Sequence, residues 1–194
     1  MFHASTRATC SIERLISTLL LVSVGLVTLP LSARAQTAIE SAAAEKASFI
    51  ADLEVMRDKF IGLAEAFPQD KYTWRPMDGV RSVSEVLTLI ASEGYGCAPT
   101  ALGGQAAMSR DESSELNSIT DKAQVIDHLT KGFAHAKSEI EAMDPATLTG
   151  KRTVFRQERS IPEIILFVAG DMHEHLGQLI AYARMNQIVP PWSR

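Results

Sequence analysis

Cysteine is nearly absent from this chain. Its 194 residues hold two, Cys10 and Cys97. Cys10 falls in a stretch that reads as a targeting segment and precedes its apolar run, so it is not a lipoprotein-type anchor. Cys97 is then left alone, which excludes an internal disulfide framework. Stability has to come from packing, and Cys97 reads as a small buried apolar residue, not a reactive thiol. A cationic excess is missing too. The formal net charge is −4, which argues against nucleic acid as the main partner. Also lacking are a strand-period run and an internal repeat, which turns the fold toward packed helices.

What is present begins with an export signal. Arg7 and Arg14 form a positive start, and the 19 residues from Leu15 to Ala33 carry no charge. Ala33-Arg34-Ala35 is a small-x-small cleavage site, so residues 1–35 read as a cleavable signal peptide and the mature chain as 36–194. The competing reading is an uncleaved anchor, since the run is near spanning length. Gly25, Pro30 and the Ser/Thr content favour removal. Residues 1–35 contain three arginines (Arg7, Arg14, Arg34) and one acid (Glu13), so the remainder has 16 basic and 22 acidic residues, a net of −6. An exported protein, periplasmic or secreted, with no permanent span after cleavage is expected.

Four amphipathic segments follow. Phe49, Leu53, Met56, Phe60, Leu63 and Phe67 recur at steps of three and four, predicting a helix over Ala38–Phe67 that Pro68 ends. Tyr72 and Trp74, in the loop after it, are expected to fold back as aromatic anchors. Ser82-Val83-Ser84-Glu85 is a capping box that opens a second helix. Gly94 and Gly96 weaken it, and it should fray before Gly103-Gly104. Gln105–Ile119 is polar and Ser-rich and reads as a surface loop. A third helix runs from near Thr120 to before Asp144-Pro145, with His128 and His135 flanking its apolar stripe as a solvated pair. Ala146–Arg159 reads as an irregular link with a solvated basic surface. Ser160-Ile161-Pro162-Glu163 is a second capping box and opens the fourth helix. The expected fold is therefore all-α, a four-helix bundle.

The last helix carries the polar residues of interest. At 100° per residue, Ile164, His175, Gln178 and Tyr182 fall within about 40° of Asp171. Asp171 and His175 thus share a core-facing stripe one turn apart, where their tips can meet. His173 projects to the opposite side with Leu166 and Ile180, so His173-x-His175 is not a two-histidine metal pair. No serine or cysteine can be set beside the Asp171–His175 dyad from spacing, so no catalytic residue is assigned.

Two stretches carry a family resemblance. One is Lys71-Tyr72-Thr73-Trp74-Arg75-Pro76, continuing through Gly79-Val80-Arg81-Ser82. The other runs from Glu174-His175-Leu176-Gly177-Gln178 to Ile188-Val189-Pro190-Pro191. Together they make the chain similar to the DinB-like (DinB/YfiT) four-helix bundles, over roughly the whole mature chain. The resemblance implies a divalent metal, zinc or nickel, held by three histidines, thiol-transferase chemistry in some members, and a homodimer. Position by position the last ligand corresponds to His175, the one before it to Asp171, and the one on the second helix to Leu89. Leucine cannot bind a metal, and aspartate suits harder cations than imidazole does. Glu93, one turn beyond Leu89, is the substitute carboxylate, if its side chain swings toward Asp171 against an apolar neighbourhood.

Three readings stay open at this point. The leading one is an exported binding or structural bundle whose family metal site is degraded, with Asp171 and His175 as a packing pair. The alternative is a divalent-metal-dependent transferase or hydrolase using Asp171 and His175. The third is a metal-free enzyme in which the Asp171–His175 dyad acts as base. An unknown small molecule is the partner the first two share.

Overall fold

The computed structural model describes residues 31–193. Its main compact unit starts at Thr37. Most of the expected signal peptide lies outside the described residues, and among those described no helix is long and apolar enough to cross a membrane.

The chain is mostly helical. Four long helices, α1 (Leu31–Ala66), α2 (Val83–Tyr95), α5 (Lys122–Ala142) and α6 (Ile161–Met185), supply the core, and two short ones, α3 (Cys97–Leu102) and α4 (Arg110–Leu116), follow α2. Each long helix buries one stripe. Phe49, Leu53, Met56, Phe60 and Leu63 of α1 meet Val86, Leu87 and Ile90 of α2, Leu129, Phe133 and Ile140 of α5, and Ile164, Leu179 and Tyr182 of α6 in one cluster. Residues spaced three and four apart face the same way on a helix, so the sequence stripes become this core.

The caps work as their residue types dictate. Ser82 N donates to Glu85 Oε2 at 2.6 Å and Glu85 N donates to Ser82 Oγ at 3.3 Å. At α5 the cap is Asp121, whose Oδ1 accepts from Gln124 N at 3.0 Å. At α6 the Glu163 carboxylate takes both the Ser160 N–H and the Ser160 hydroxyl, each at 2.7 Å. Tyr72 is fully buried and donates to Ala64 O at 2.7 Å. Trp74 packs edge-on against Tyr182, centroids 5.4 Å apart. Both are the anchors expected of that loop.

Four expectations need correction. First, α2 does not fray toward Gly103; it stops at Tyr95 and a separate α3 begins at Cys97. Pro99 explains the break. It has no N–H for the Tyr95 carbonyl, four residues back, and its ring crowds that group. Tyr95 O instead accepts from Ala107 N at 2.8 Å. Second, Gln105–Ile119 is not all loop, because α4 opens on a capping box of Ser109 and Glu112. Third, Ala146–Arg159 is not irregular. It holds a hairpin, β1 (Lys151–Val154) antiparallel to β2 (Gln157–Ser160), with Val154 opposite Gln157. Phe155 and Arg156 form its two-residue turn with φ of 50° and 65°. Positive φ at both central positions is the type I′ signature, normally given to Asn and Gly, and costs a bulky residue energy. Fourth, His128 and His135 are not free in solvent. His128 Nδ1 lies 3.4 Å from the Tyr95 hydroxyl, and His135 Nε2 lies 2.9 Å from Gln105 O.

The glycine of α2 has a packing reason. A Cβ on Gly94 would sit 2.6 Å from the backbone of Gly132, and one on Gly132 would sit 2.5 Å from Ala91 O. The two helices therefore cross in backbone contact, which only glycine permits.

Candidate functional site

The site lies where α2, α3, α6 and the hairpin turn converge. Two cavities meet there. A smaller one of about 290 Å³ is lined mainly by apolar side chains, among them Leu53, Ile90, Phe133, Phe167 and Met172. A larger one of about 490 Å³ runs under α3 and α4 beside Ser92, Thr100, Ser113 and Thr153. Glu93, Cys97 and Phe155 line both. Asp171 stands in the wall of the smaller cavity.

Glu93 does reach Asp171. The helix turn that follows Leu89 brings the Glu93 carboxyl into hydrogen-bond contact with the Asp171 carboxylate. Burial, then the Asp171 charge and that hydrogen bond, push the Glu93 pKa up to about 8, with Arg81 opposing. Glu93 therefore holds its proton at neutral pH and donates it to Asp171. Cys97 is partly buried and unpaired. Burial and the charges of Glu93 and Asp171 raise its thiol to about 11. A thiol held that high is neutral and a poor nucleophile, as expected of a packing residue.

His175 belongs to a different arrangement. Its Nδ1 lies 3.0 Å from Gln178 Oε1, Gln178 Nε2 donates to the Tyr182 hydroxyl at 2.7 Å, and that hydroxyl donates to Arg81 O at 3.0 Å. The relay fixes a tautomer. Tyr182 gives its one proton to a carbonyl, so the Gln178 amide nitrogen must face it and the amide oxygen must face His175. Nδ1 of His175 then carries the proton, and Nε2 presents a lone pair toward Asp171. Two acceptors do not bond, and the Nε2–Oδ2 distance is 3.9 Å. The helical wheel put Asp171 and His175 on one face correctly, but the close partner of Asp171 is Glu93. His173 is exposed and bonds Asp52 of α1 at 3.1 Å, away from the cavities.

Leu89 lies outside this site. It lines a separate hollow with Arg75, Gly79, Val80, Arg81, Glu85 and Asn117. Among the described residues no group of three or more His, Cys, Asp or Glu side chains is arranged to hold a metal ion. The donor chemistry agrees: one position has no donor, and the carboxylates at the other end of the set satisfy each other through a proton. These residues do not fit the three-histidine centre that the resemblance implied.

The arrangement of helices and the sequence meet in one comparison. The model of the DinB superfamily matches residues 52–179. The chain belongs to the DinB superfamily. The match takes in α2, α5, most of α6 and every residue of the site, so the divergence at Leu89 and Asp171 lies inside the family core. Comparison with curated proteins and with solved structures gave no match.

Two site features escaped the sequence. Phe155 gave no turn signal, because Phe-Arg is an unlikely type I′ pair. Cys97 was assigned to the core, whereas it lines both cavities; only the break at Pro99, which starts α3 at that point, could have shown it.

Proposed function

We propose that this DinB-superfamily protein is an exported binding bundle that takes a small molecule into the cavity between α2, α3 and α6. The observation that carries the reading is the Glu93–Asp171 pair. It sits one helical turn from where the resemblance puts the metal, against an apolar cavity near the size of small-molecule sites. A protonated carboxyl paired with a carboxylate, beside a neutral thiol, suits recognition better than nucleophilic chemistry. Export is read from the first 35 residues; mass spectrometry of the exported chain should find its N-terminus at Gln36.

The test is ion content. Purified without a histidine tag, the protein should contain far less than one equivalent of zinc or nickel, while Leu89→His combined with Asp171→His should gain zinc affinity in calorimetry. One observation favours the metal-dependent transferase or hydrolase as a second reading: the bare Nε2 of His175 faces Asp171. A tightly held, stoichiometric ion in the wild-type protein would establish that reading and displace the first.

A further inference from the structure

We propose that the ligand of the smaller cavity is a primary amine with an apolar, preferably aromatic, body. This rests on the reading of the chain as a binding bundle. The cavity has a long apolar stretch of wall and one acidic corner. Leu53, Ile90, Val168 and Met172 offer no hydrogen bond, so the body of the ligand must be apolar. The corner holds Glu93 and Asp171, and among the described residues no Lys or Arg forms an ion pair with either. Arg81 reaches Glu93 only through its charge at longer range. An ammonium has three donors and one positive charge, which two carboxyl groups can share. An anionic ligand would be repelled, and a neutral alcohol would leave the acidic corner without a counter-charge.

The aromatic residues point the same way. Phe133, Phe155 and Phe167 line the cavity. Phe155 and Phe167 lie with ring centroids 5.2 Å apart. The Arg159 guanidinium already rests 5.3 Å from the Phe167 ring, which shows that this ring accepts a cation at its face. Phe155 is held over the opening by a turn that its own backbone disfavours, and it is 57% exposed. A ring in that position closes over a ligand and gains burial when the cavity fills.

The experiment is calorimetric titration of the full chain with three ligands of one shape: 2-phenylethylamine, 2-phenylethanol and 3-phenylpropionate. The amine should bind about tenfold tighter than the alcohol, the difference a partly desolvated charge pair supplies, and the acid should not bind. Glu93→Gln with Asp171→Asn keeps the size of both side chains and removes both charges. It should bring the amine and the alcohol to within about threefold of each other while alcohol binding persists. Phe155→Ala should weaken all binding without altering the preference. Equal binding of amine and alcohol by the wild type overturns the amine assignment and leaves the binding-bundle reading standing. Binding of none of the three by folded protein overturns both. An amine preference that survives the double substitution places the amine elsewhere and overturns the assignment.

Discussion

Glu93 should make this protein lose stability as pH rises, which is unusual for a carboxylate. Most paired carboxylates ionise more easily in the folded state and stabilise it above their unfolded pKa. Glu93 does the opposite, because burial and Asp171 both oppose its charge. Below pH 4.5 the side chain is protonated in both states and costs nothing. Between 4.5 and about 8 the unfolded chain gives up the proton and the folded one keeps it, so each step up in pH favours unfolding. Above about 8 the folded site ionises as well and the loss levels off. At about 1.4 kcal/mol per pH unit, the interval from 4.5 to about 8 bounds the loss near 5 kcal/mol. That is a large part of the stability of an ordinary domain. The assay is urea denaturation followed by circular dichroism at pH 4.5, 7 and 9, for wild type and Glu93→Gln. The glutamine keeps a donor toward Asp171 and cannot ionise. The two proteins should be closely matched at pH 4.5, and the variant should be several kcal/mol the more stable at pH 9, bounded as above. Asp171→Asn should shrink the wild-type slope without abolishing it, since burial is the first cause. A difference between wild type and Glu93→Gln that is the same at pH 4.5 and pH 9 would refute the placement of Glu93.

Two backbone predictions accompany it. Gly94→Ala drives a methyl into the Gly132 backbone and should cost about 2–3 kcal/mol by overpacking, read as a lowered urea midpoint. Arg156→Gly relieves a positive φ at an exposed turn residue and should raise stability by about 1 kcal/mol; a loss in thermal denaturation would show that the Arg156 side chain is needed where it is.

The parts of the fold that were legible share one cause. A stripe such as Phe49, Leu53, Met56 and Phe60 repeats a single physical demand many times, and a capping box such as Ser82 with Glu85 satisfies specific backbone groups at fixed spacing. Both signals are local. The same holds for α4, whose Ser109 and Glu112 were in plain view but sat in a segment with too few apolar residues to draw attention. The hairpin was not legible, because its turn violates the residue preference that would announce it. The site was half legible. A helical wheel places Asp171 and His175 on one face, but not the rotation of α2 against α6, which decides between Leu89 and Glu93 as the group that meets Asp171. Gly94 was misread for the same reason: taken as a weak point within its own helix, it answers to a neighbour 38 residues away in sequence, Gly132.

The Gly94–Gly132 crossing also limits how this protein can vary. Any side chain added at either position forces two backbones apart, so α2 and α5 are locked together through descent as well as in space. Gly94 itself lines the smaller cavity. That wall is a fixed template. Changes in what the cavity accepts have to arise on the other side, through Val168 and Met172 of α6 and through Phe155 at the tip of the hairpin. Among diverging sequences of this type, the two glycines should persist while those three positions drift with the ligand.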